Sequence, residues 1–133
     1  MTGPDPTVTD PDLYHVVFEN DRVRVLEYRD HPGGRTHPHR HPDSVMVTLS
    51  AFQRRVSSGG RSVDVVLSAG EARWLGAQEH VGENTGHTGT HCIFVELKEP
   101  GTPSTSDGAL GPAHGSSSTG SPAATRPGST VEP

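Results

Sequence analysis

From Tyr14 to Lys98, short runs of β-branched and aromatic residues alternate with turn residues, and no window carries the period of an amphipathic helix. The runs are YHVVFE (14–19), VRVLEYR (23–29), SVMVTLS (44–50), FQRRVS (52–57), SVDVVLS (62–68), EARWL (71–75), HVGEN (80–84) and THCIFVELK (90–98). Asn20-Asp21 and the SGGR of 58–61 read as tight turns between neighbours. Eight short strands in this pattern predict an all-β sandwich or barrel, in which closing or doubling the sheet removes exposed edges.

Composition sets the limits of that domain. Of the 39 apolar residues, 31 lie between Asp12 and Lys98. In residues 99–133, 24 of 35 are Gly, Pro, Ser or Thr, so this segment cannot bury enough surface to offset its ordering entropy. The proline-punctuated opening, residues 1–11, reads the same way. The expectation is a domain over residues 12–98 between two disordered ends, with Leu110 and His114 belonging to a solvated tail. A domain this small buries a modest share of its surface, which favours a homodimer.

Within residues 12–98, 10 basic residues face 11 acidic ones, so no nucleic-acid surface is expected. Neither a secretory leader nor a membrane span is apparent. The single Cys92 excludes an intramolecular disulfide and favours the cytoplasm.

Alternation sorts the side chains by face. Val45, Val47 and Leu49 share one face, and so do His91, Ile93, Val95 and Leu97. These aliphatic faces are expected to point inward, with His37, His39 and His41 in phase with Val45.

The stretch HPGGRTHPHRHPD (31–43) holds four histidines. Side chains two apart on a strand stand about 6.5–7 Å apart, so His39 and His41 can reach one metal ion, whereas three in-phase histidines rarely share one. A third ligand must come from another strand, and His80 is the natural candidate. His37 is expected at the rim or supporting the ligands, while His31 and His87 read as exposed turn residues. Arg24, Arg35, Arg55 and Arg73 are candidates to hold an anion, though strand arginines are more often solvated or paired.

Gly33, GRTHP and His39-Arg40-His41, followed by Gly70, EARWL, His80 and Asn84, resemble the two motifs of the cupins, small double-stranded β-helix (jelly-roll) proteins. The resemblance spans residues 12–98 and is similar to small single-domain bacterial members. The glutamate of the first motif would fall at Val45 or Met46 and is missing; the second motif has Gly76 and Gln78 in place of its Pro and Gly.

The resemblance implies a divalent ion on His39, His41 and His80, with no carboxylate to reduce its charge. Three-histidine cupin sites resemble those of dioxygenases, which makes a small Fe(II)-dependent oxygenase acting on an anionic or chelating small molecule the leading expectation. His91, on the face expected to point inward, would be its acid–base residue. Two other readings stand beside it: Lewis-acid isomerase or lyase chemistry on Zn, Ni or Mn, and a ligand- or metal-binding barrel without turnover.

Overall fold

The computed structural model describes residues 3–99; the tail expected to be disordered lies, from Pro100 onward, outside them. Among the described residues are one short helix, α1 (Pro6–Thr9), and nine strands. These are β1 (Tyr14–Glu19), β2 (Val23–Asp30), β3 (His39–His41), β4 (Ser44–Thr48), β5 (Phe52–Ser58), β6 (Arg61–Leu67), β7 (Ala72–Leu75), β8 (Gln78–Asn84) and β9 (Thr90–Leu97). Eight match the expected runs; β3 is too short to stand out from its Pro-flanked surroundings.

The strands form two antiparallel sheets, ordered β1-β2-β9-β4-β7 and β3-β8-β5-β6. The hairpin between β5 and β6 turns on Gly59 and Gly60, whose φ of 57° and 81° lie where side chains are strained.

The chain passes from one sheet to the other at Pro42-Asp43, between β3 and β4. That crossing resets the phase: His39 and His41 are buried, but so are Ser44 and Thr48, three and seven residues beyond His41. The expected inward face of β4 is therefore corrected. Met46 lines the interior cavity while Leu49 is 48% exposed, and Val45 and Val47 lie on the outer face with it.

The last strand is corrected in the same way. Thr90, Cys92, Phe94 and Glu96 point inward, leaving His91, Ile93, Val95 and Leu97 outside. Phe18, Val25, Val95, Val45 and Trp74 consequently stand in register across all five strands, with Trp74 60% exposed. Alternation separates two faces without saying which is inner, and here the more aliphatic one is outer.

The opening segment also departs from expectation. Asp5 caps α1 by accepting from the Thr7 amide at 3.0 Å, and Pro6 is fully buried. Asp5 pairs with Arg24 at 2.7 Å, Arg40 N–H donates to the Pro4 carbonyl at 2.8 Å, and Asp10 accepts from the His37 amide at 3.0 Å. Polar tethers of this kind leave no mark in apolar periodicity.

Besides Pro6, seven buried apolar or aromatic residues are outnumbered by eleven buried polar or charged ones among the described residues, so hydrogen bonding must carry much of the interior. Its centre is Asp30 at the end of β2. One carboxylate oxygen accepts from Tyr28 Oη and Arg54 Nη1, both at 2.6 Å. The other accepts from Asn84 Nδ2 at 2.9 Å and the Thr90 amide at 3.2 Å. Burial raises the Asp30 pKa, but hydrogen bonds from Tyr28, Arg54 and Asn84 outweigh that and hold it below the ordinary carboxylate value. This knot ties β2 and β9 of one sheet to β5 and β8 of the other. Gly82 makes room for it, since a Cβ there would stand 2.8 Å from Arg54 Nη2.

Asp30→Ala would leave the Arg54 charge buried and unpaired, and should cost about 3–5 kcal/mol in urea unfolding. A loss below about 1 kcal/mol would show that the knot is not what joins the sheets.

Candidate metal centre

β3 pairs with β8 so that His39 stands directly opposite His80, with His41 two residues further along the same face of β3. The ring centroids are 4.8 Å (His39–His41), 4.9 Å (His39–His80) and 5.2 Å (His41–His80) apart. One nitrogen from each ring lies within 4.8 Å of the other two. His39 and His41 are fully buried, while His80 keeps part of its surface open to the cavity. The three residues singled out by spacing are thus brought together.

The outer nitrogens decide what the inner ones can do. His39 Nδ1 donates to the His37 carbonyl at 2.8 Å, and His41 Nδ1 donates to Glu96 Oε2 at 3.0 Å. His80 Nδ1 donates to Gln78 Oε1 at 2.7 Å; Gln78 Nε2 donates to the Gly76 carbonyl at 3.0 Å, which fixes the amide's orientation. A neutral imidazole carries one N–H, so all three Nε2 atoms present lone pairs. Those of His39 and His41 are only 3.1 Å apart. Burial pushes the His39 pKa down and, with His41 and His39 beside it, takes His80 down to about 3. Neutral rings with converging lone pairs are the donor set a divalent cation takes, so the residues fit a metal ion.

No protein-family model matches the sequence, and no curated protein matches it. Solved structures do match. A cupin domain from Bordetella pertussis Tohama I is 29% identical over 74% of this chain and 99% of its own, with a TM-score of 0.62. The chain has the cupin fold. A protein with a double-stranded β-helix domain from Klebsiella pneumoniae, 23% identical over 64% of this chain and 70% of its own (TM-score 0.52), shares the fold. So does the polyketide cyclase RemF from Streptomyces resistomycificus, 20% identical over 65% of this chain and 64% of its own (TM-score 0.50).

The three histidines are braced by His37, expected at the rim or in support, and by residues that spacing did not single out, Glu96 and Tyr14. Glu96, 2% exposed, links His41 to Arg24, which reaches Glu96 at 2.8 Å and Asp5 at 2.7 Å. His37 is exposed, but its carbonyl orients His39, and its own Nδ1 bonds Asp10 at 2.9 Å. Tyr14 Oη lies 3.3 Å from His39 Nε2 and 3.4 Å from His41 Nε2. The signals were faint: a lone acid within the apolar run FVEL, and a tyrosine opening the first strand.

His91, expected as the acid–base residue, is not at the site. It lies on the outer face of β9, with Nε2 2.6 Å from Glu27 Oε2, because the inward phase of that strand belongs to Thr90, Cys92, Phe94 and Glu96. The candidate arginines are also engaged elsewhere: Arg24 as above, Arg35 with Glu83, Arg55 with Asp64 and Arg73 with Glu71. His31 and His87 are exposed, as expected, and Asn84 makes a structural hydrogen bond to Asp30.

A cavity of about 210 Å³ adjoins the histidines, with His39, His80 and Tyr14 on its wall. Elsewhere its lining is mainly apolar, including Met46, Phe52, Leu67, Leu75 and Phe94. Arg54 also reaches it, but that charge is met by Asp30.

Glu96→Gln removes the charge behind His41 while keeping its shape. Metal affinity should fall about 10–100-fold, read by competition with a chelator; an unchanged affinity would show that Glu96 only packs. The metal-free protein should also lose stability as pH falls from about 6.5, where the unfolded chain's histidines begin to take up protons, towards the His80 value of about 3. The folded state resists that protonation, so the loss grows with falling pH; His80→Gln should flatten the slope of unfolding free energy against pH.

Proposed function

We propose that this cupin is a metal-dependent enzyme, a small Fe(II) oxygenase that acts on a compact anionic or chelating molecule with an apolar body. The observation that carries the reading is the convergence of three Nε2 lone pairs, each oriented by its Nδ1 partner, beside an apolar cavity that His39 and His80 line. His39, His41 and His80 would hold the ion, which when bound supplies a positive centre for an anionic head group and a redox-active site for oxygen.

The chain's own residues do the rest. Glu96, the His37 carbonyl and Gln78 hold the rings in one tautomer and orientation. Met46, Phe52, Leu67, Leu75 and Phe94 exclude water and pack against an apolar body. Because Asp30 neutralises Arg54, recognition of an anion falls to the metal rather than to a cation in the wall. The cytoplasm suits this reading, since a reducing compartment keeps both iron(II) and the free, buried Cys92 reduced.

The fold also serves RemF, a polyketide cyclase, so the barrel itself does not dictate oxygen chemistry. Plasma mass spectrometry on protein purified without a His-tag separates the readings. About one equivalent of iron, lost in His80→Ala, is expected, followed by oxygen uptake with small aromatic or thiol-bearing acids. Zinc or nickel without oxygen uptake would shift the assignment to Lewis-acid chemistry. No metal after reconstitution would overturn it.

A further inference from the structure

Tyr14 is the first residue of β1, and its ring is held between Tyr28 (centroids 4.7 Å apart) and Phe94 (6.0 Å). It is 5% exposed and belongs to the cluster with Leu26 and Cys92. Its hydroxyl has two hydrogen-bond partners among the described residues, the Nε2 atoms of His39 and His41. Those are the atoms that would bind the metal. Once a cation occupies their lone pairs, the hydroxyl loses both acceptors and has nowhere to turn in an apolar cluster, and a buried unpaired hydroxyl is costly.

The spacing offers a resolution. Adjacent ligands around one ion with bonds of about 2.1 Å stand about 3.0–3.4 Å apart, from octahedral to tetrahedral arrangements. His39 Nε2, His41 Nε2 and Tyr14 Oη are separated by 3.1, 3.3 and 3.4 Å. The phenolic oxygen thus stands from both nitrogens as a neighbouring ligand would. A packed ring on a strand is also better placed to hold such a position than a loop residue.

We propose that Tyr14 is the fourth protein ligand of the metal centre, binding through its phenolic oxygen and supplying the anionic group that no carboxylate supplies here. The inference rests on His39, His41 and His80 holding a metal. On binding, the phenolic O–H bond breaks, the oxygen–metal bond forms and the proton passes to solvent. The bound ion's formal charge with its protein ligands falls from +2 to +1. An ion that accepts five or six ligands keeps positions open towards the cavity, whereas a four-coordinate one would be closed.

The test is copper(II) titration of the metal-free full chain, followed by visible absorbance, with Tyr14→Phe and Tyr28→Phe alongside and chelator competition for affinity. Wild type and Tyr28→Phe should show a phenolate-to-copper charge-transfer band, absent in Tyr14→Phe, which should bind at least about tenfold more weakly. Zinc should release one proton more from wild type than from Tyr14→Phe. Thermal melts of the metal-free proteins check folding, and the wild-type spectrum decides even if Tyr14→Phe does not fold. Tight metal binding by wild type without the band or the extra proton overturns the Tyr14 assignment and leaves the three-histidine site standing. Failure of wild type to bind either metal overturns both.

Discussion

The fold depends on one buried carboxylate. Asp30 collects four hydrogen bonds, from Tyr28, Arg54, Asn84 and the Thr90 amide, and these span both sheets. A chain with 29% hydrophobic residues cannot rely on apolar burial alone. Its sheets are joined by a charge pair whose members satisfy one another and the polar groups around them. A paired and fully hydrogen-bonded charge is tolerable in such an interior, whereas a half-paired one is not. The cavity inherits that economy: because Asp30 consumes the Arg54 charge, the wall beside the histidines stays apolar and unpolarised.

The three-histidine cluster is organised on the same principle. Each imidazole has its outer nitrogen engaged, one by a main-chain carbonyl, one by Glu96 and one by Gln78. The inner nitrogens therefore cannot satisfy one another and face inward as lone pairs. From Asp5 through Arg24 to Glu96 the charges alternate, and Glu96 ties that line to His41 by accepting from its Nδ1. Pro4 and Asp10 hold the β3 region from outside, at Arg40 and His37. The segment that composition marked as unstructured is thus part of what shapes the site.

Legibility in the sequence followed the range of the interaction. Eight strands were readable because β-branched runs and turn residues act locally, and β1 was matched to the residue at both ends. His39 and His41 were readable because two-residue spacing is a property of any strand. His80 needed the family motif as well, since nothing local says that it stands opposite His39. His91 was misplaced because alternation leaves the choice of inner face open, and the partners that make that choice are remote in sequence, as His41 is from Glu96 at 55 residues. Tyr14 and Glu96 were missed for the same reason: their roles exist only across strands.

The sequence by itself determined the all-β architecture and the residue types available to hold a cation. Backbone propensity, turn chemistry and ligand spacing act over a few residues and can be read along the chain. The tertiary structure alone decided which face of β4 and β9 is inner, that Arg54 is neutralised, and that a tyrosine stands beside the inner histidine nitrogens. Those outcomes depend on the crossing at Pro42-Asp43 and on registers between strands far apart in sequence, where one residue of slip exchanges inside for outside.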